Sequence, residues 1–178
     1  MPPGFGRYDA TTTMILRPPM APKKPRYWLV KSEPDVFGFA DLAAAPGATT
    51  RWDGVRNHQA KLFLRDGMQA GDGVLYYHSN ADPSGVAGVA EVVGDAYADP
   101  TQFDPASPYF DPKAKPAAPT WFARDLRAVA ALSRFVPLAQ LKAAGKLASM
   151  AVVQRGSRLS VTPVTPLEWR EVRRLGGL

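Results

Sequence analysis

Within six residues, Trp52-Asp53-Gly54-Val55-Arg56-Asn57 combines a flat aromatic, an acid, a glycine, a guanidinium and an amide. Trp supplies a stacking surface, Arg a planar fork of donors, and Asn both a donor and an acceptor. Those groups suit a planar polar ring such as a nucleobase. Gly54 allows backbone angles or a close approach that other residues resist. Each residue also has a plainer reading. Arg56 either grips a phosphate or base edge, or pairs with Asp53. Asn57 either reads a base edge or caps the helix that begins there, and both roles can coexist. Trp52, between Arg51 and Asp53, fits a pocket or surface role. Trp28, in an apolar strand, could stack on a ring but taken alone fits a core.

Three further groups could contribute. Tyr77-His78-Ser79-Asn80 ends a strand in polar-tipped residues. His78 and Ser79 should point to opposite faces, which argues against a nucleophile pair. Lys31-Ser32-Glu33 follows the first strand, and a Lys31–Glu33 pair could do acid–base work or simply be exposed. Arg155-Gly156-Ser157-Arg158 places two cations around a turn, where phosphate could be held by side chains and amides. The histidines are His58 and His78 and there is no cysteine, so neither a metal site nor a cofactor is expected.

The formal net charge of +6 over 178 residues is unevenly spread. Residues 1–26 carry +4, residues 27–111 carry −7, and residues 112–178 carry +9. A folded chain would therefore gain a basic face from its C-terminal third, favouring an anionic partner. No apolar run approaches the ~18–20 residues of a membrane span, so no membrane partner is expected. The absence of cysteine suits a reducing compartment, and the expectation is a cytoplasmic protein that could associate with the nucleoid, its oligomeric state left open with a monomer slightly favoured.

These groups need elements to hold them. Residues 1–25, with six prolines and little apolar periodicity, read as a disordered basic tail ahead of one domain over 26–176. Tyr27–Lys31, Val74–His78 and Val86–Val93 read as strands, with a turn at Asn80–Gly85. Phe37–Ala44 and Asn57–Arg65 read as short helices, with Gly67 a C-cap. Residues 99–120 hold another six prolines and form a long irregular loop. Trp121–Phe135 is one bent strand or two, Pro137–Lys142 a helix, Ser149–Val153 a helical turn, and Arg158–Val161 a strand. Thr165, Pro166 and Glu168 start a closing helix with a capping box. The alternation of strands and short helices, with no βαβ rhythm or phosphate loop, predicts an α+β barrel or curved sheet.

Six ordered segments are similar to the EVE domain of the PUA-like superfamily, which includes the thymocyte nuclear protein group. They are residues 27–34, 52–57, 68–79, 88–92, 158–164 and 168–169. The resemblance implies a PUA-like pseudo-barrel of about five to six mostly antiparallel strands with short flanking helices. It implies a pocket for a flipped-out modified base, built from Trp28, Lys31, Ser32, Trp52, Val55, Arg56, Asn57, His78 and Ser79. Ser157 and Leu159 would close the pocket beside Arg155, with Arg155 and Arg158 as phosphate ligands. Where many relatives carry leucines, this chain has Met150-Ala151-Val152-Val153, which would reshape the pocket.

The expected function is a non-catalytic module that recognises modified cytosine or adenine in DNA or RNA. One alternative is a base- or nucleoside-modifying enzyme of the ASCH amidohydrolase type, using Lys31 and Glu33. A second is a protein-interaction module using the proline-rich loop.

Overall fold

The computed structural model describes residues 26–178, so the reading of residues 1–25 as a tail lies outside the described residues. Six strands form one sheet: β1 Tyr27–Ser32, β2 Thr49–Trp52, β3 Gly73–His78, β4 Gly85–Ala98, β5 Phe122–Pro137 and β6 Val161–Val164. Their order across the sheet is β2-β5-β4-β3-β1-β6. Every pairing is antiparallel except β1 with β3, which run parallel. The helices are α1 Pro34–Phe37, α2 Phe39–Ala44, α3 His58–Leu62, α4 Leu138–Ala143 and α5 Pro166–Gly176. This is the expected mostly antiparallel α+β architecture.

Alternation along the strands sorts the core into two layers. Trp28, Val30, Val74 and Tyr76 point to one side; Leu29, Leu75 and Tyr77 point to the other. The first layer receives a side chain from every strand, from Trp52 at one edge to Val161 at the other. Trp52 of β2 meets Tyr76 of β3 edge to face at 5.6 Å, although two strands separate them in the sheet. The sheet therefore curls around this layer while its edges β2 and β6 remain unpaired. Register shifts between β4 and β5 supply the bend. The second layer is covered by α4, the 3₁₀ turns at Gly145–Leu147 and Ala151–Val153, and α5.

α5 starts as its residues predict. Thr165 accepts from the Glu168 amide while the Glu168 carboxylate accepts from the Thr165 amide. Trp169 on its buried face stacks on Tyr27 at 4.5 Å. The expected helix at Phe37–Ala44 is instead two short pieces parted at Gly38, whose extended backbone breaks the turn. α3 is shorter than expected, because residues Phe63–Gly67 widen into a π turn. Buried Arg124 of β5 gathers the carbonyls of Leu64 and Met68 there, at 2.8 and 2.5 Å, which fixes α3 to the sheet.

Strand β2 falls in a stretch to which the sequence pattern assigned no element. The strand expected at Arg158–Val161 lies three residues later, at the sheet edge, where Pro163 withholds no needed amide. Trp121–Phe135 resolves as one long bulged strand. The proline-rich loop after β4 is anchored by Gln102, which is fully buried. Its amide donates to the Asp99 and Trp121 carbonyls and accepts from the Thr120 and Trp121 amides.

Candidate nucleic-acid interface

Because β1 and β3 are parallel, both leave the sheet at the same end. Lys31-Ser32-Glu33 and Ser79-Asn80 emerge side by side there, tied by a 2.8 Å bond from the Ser79 amide to the Ser32 carbonyl. The end of β2 and residues 157–160 before β6 complete a cleft of about 580 Å³. Its aromatic groups are Trp52 and Tyr109, and its apolar groups are Val36 and Val55. Ser32, Glu33, Asp53, Ser79, Asn80, Ser157 and Ser160 add hydroxyls, carboxylates and an amide. The volume falls in the range of small-molecule sites, and the lining is more polar than such sites usually have.

A second cleft of about 630 Å³ adjoins the first and shares Lys31, Ser79, Asn80, Ser157 and Arg158 with it. The Lys31 ammonium donates to the Ser157 carbonyl at 3.0 Å, forming a partition between them. Burial lowers the Lys31 pKa from its ordinary value. The two clefts differ in charge. Glu33 and Asp53 line the first, whereas the second holds Lys31, Lys142, Arg155 and Arg158 and no carboxylate.

Of the expected base-pocket residues, Lys31, Ser32, Trp52, Val55, Ser79 and Ser157 line the first cleft. Trp52 does so with the margin of its ring, since most of it is buried against Tyr76. Of the expected phosphate ligands, Arg158 lines both clefts and Arg155 the second.

Five residues lie elsewhere. Trp28 is a core residue: its indole N–H donates to Asp72 at 2.9 Å and its ring packs beside Phe63 and Gly67. Arg56 turns away from the cleft and also from Asp53. It pairs with fully buried Asp99 at 2.7 Å and donates to Thr101 and the Tyr109 carbonyl. Burial alone would raise the Asp99 pKa, but hydrogen bonds from Arg56, Thr101 and Gly54 outweigh it and hold the carboxyl below its usual value. Asp53 pairs with Arg51 instead. Asn57 is the α3 cap, accepting from the Gln59 and Ala60 amides. His78 diverges from Ser79 as its strand position requires, and accepts from the Phe39 amide at 3.0 Å. Leu159 packs against the first core layer.

Lys31 and Glu33 both border the first cleft but have separate partners, Ser157 and Asn80. Val152 and Val153 line the second cleft, so the departure at 150–153 bears on that space. Among the described residues no group of three His, Asp or Glu side chains is placed to hold a metal.

Tyr109 carried no signal in the sequence beyond being an aromatic in a proline-rich loop. Arg56 brings it to the cleft by gripping its carbonyl, with the guanidinium 5.4 Å from the centre of its ring. Its ring then lies on Gly54, where a Cβ would stand 2.7 Å from it. Gly54 also has φ +69°, so both expected reasons for a glycine apply.

Residues 26–175 match the EVE domain family. The chain belongs to that family. Human thymocyte nuclear protein 1 is 41% identical over 160 residues, covering 80% of this chain and 70% of that protein. Among solved structures, a Pseudomonas putida protein superposes with a TM-score of 0.80 at 45% identity, covering 84% of this EVE chain and 99% of its own. Human thymocyte nuclear protein 1 in complex with 5-methylcytosine-containing DNA gives a TM-score of 0.80 at 40% identity, covering 86% and 98%.

Proposed function

We propose that this EVE domain is a non-catalytic reader that takes a modified base, flipped out of DNA or RNA, into the first cleft. The carrying observation is the lining of that cleft: aromatic margins and small apolar groups beside acceptors and donors. Glu33 and Asp53 suit the exocyclic amine of cytosine or adenine, while Asn80 and Ser160 suit ring acceptors. Val36, Val55 and Trp52 offer apolar surface to a methyl group. The relative solved with 5-methylcytosine-containing DNA supports modified cytosine as the first candidate.

Extruding a base costs a few kcal/mol, so selectivity rests on how fully the cleft satisfies the modified ring. Arg155 and Arg158 hold the backbone, which makes binding salt-sensitive. Fluorescence anisotropy with oligonucleotides carrying 5-methylcytosine, N6-methyladenine or unmodified bases tests the reading. One modified base should be preferred, and Val36→Trp, an exposed change at the cleft wall, should abolish that preference. Equal affinity for all bases would overturn it.

A further inference from the structure

A single base in the first cleft leaves the second without an occupant. Its floor is apolar, formed by Tyr77, Leu138, Val152 and Val153, and every charged group on its rim is a cation. Among the described residues, Lys142, Arg155 and Arg158 belong to no salt bridge. Elsewhere some surface cations are matched, as Arg51 with Asp53 and Arg127 with Glu91, and others such as Lys113 and Arg170 are not; what sets this cleft apart is that its cations line one space with no carboxylate among them. Converging like charges repel one another, and an anionic ligand relieves that repulsion.

We propose that the second cleft is a subsite for the nucleotide next in the strand to the base held in the first. Its phosphate lies on Lys142, Arg155 and Arg158, and its sugar and base rest on the apolar floor. The proposal builds on the base-reading role of the first cleft. Adjacency follows from the shared wall. Lys31, Ser79, Asn80, Ser157 and Arg158 border both spaces, so a strand with one residue in the first cleft passes directly into the second. An apolar floor accepts any base, so this subsite adds affinity without adding sequence preference. Lys142 on α4 becomes a phosphate ligand that the sequence did not single out.

The test uses the full chain and single-stranded trinucleotides with central 5-methylcytosine or cytosine, made with natural or with uncharged methylphosphonate linkages. The wild-type protein should bind the natural linkage about tenfold more tightly than the uncharged one. The Lys142→Gln/Arg155→Gln double variant, with both changes on exposed side chains, should lose that gain. Its salt dependence should flatten by about 0.7 in slope for each phosphate no longer gripped. If the double variant still gains tenfold from the natural linkage, the subsite is wrong and the base-reading role stands. If wild type discriminates the linkages but not the bases, and the double variant loses that discrimination, the base-reading role fails while a phosphate grip remains. Equal binding of both linkages by wild type overturns the subsite.

Discussion

Lys31 and Ser157 stand 126 residues apart in sequence, and a 3.0 Å hydrogen bond from the Lys31 ammonium to the Ser157 carbonyl joins them. The bond holds the turn at 154–158 against the end of β1 and divides one recess into two. The Lys31 backbone amide also donates to the Ser160 carbonyl at 2.9 Å, so backbone and side chain share the task. Lys31→Met should cost only about 1 kcal/mol, because one charged hydrogen bond is lost while a desolvated ammonium is removed. Amide hydrogen exchange at Ser157 and Arg158 should nevertheless quicken relative to the β1–β3 core. Unchanged exchange there would show that the turn holds itself.

Arg56→Met should destabilise the fold by about 3 kcal/mol, since it strands the buried Asp99 carboxylate. Urea denaturation of Arg56→Met, Asp99→Asn and the double variant forms the cycle that checks it. The two changes should be strongly non-additive, with the double variant less unstable than the sum. Simple additivity would mean that the Gly54 and Thr101 amides already satisfy Asp99.

Gly54→Ala should cost about 1–2 kcal/mol from its left-handed backbone alone. It should cost more than that, because the new methyl meets the Tyr109 ring. In a Tyr109→Ala background the steric part disappears, so the penalty of Gly54→Ala should shrink by at least about 0.5 kcal/mol. Thermal denaturation of the four proteins measures it. If Tyr109 also stacks on the ligand, Tyr109→Ala alone should weaken oligonucleotide binding by about 1–3 kcal/mol.

His78 supplies a pH dependence whose sign is fixed by its hydrogen bond. Burial lowers its pKa below the ordinary 6.5, with Asp41 opposing in part, and its ring must be neutral at Nε2 to accept from Phe39. The unfolded chain therefore takes up the proton first as pH falls. Stability should be lost from about pH 6.5 downward until the folded-state pKa is passed, and should then level off for this group. His78→Gln, which keeps an acceptor, should remove that component from the curve of melting temperature against pH. A variant with the wild-type slope would assign the effect to the carboxylates.

β1 and β3, written as runs of aromatic and branched residues buried on both faces, and the capped α5 were legible because their signals are local. The edge strand β2 was not: Thr49-Thr50-Arg51-Trp52 is short and polar, and becomes a strand only by pairing with β5. The same limit explains the site. Ser32, Trp52 and Ser79 follow from strand ends and are where the residues suggested. The partners of Trp28 and Arg56, Asp72 and Asp99, lie 44 and 43 residues away. Tyr109 reaches the cleft only through such a distant interaction. A stacking tryptophan and a buried one read alike until the residue opposite is known.

The parallel pairing of β1 with β3 has an evolutionary consequence. Two exits meet at one rim, yet past Ser32 and Ser79 neither exit belongs to the hydrogen-bonded ladder that joins these two strands. Substitutions in residues 33–36 and 80–83 could thus retune which chemical mark is recognised while the scaffold keeps its register. The fold would serve as a socket whose fittings are interchangeable, with the curled sheet left untouched.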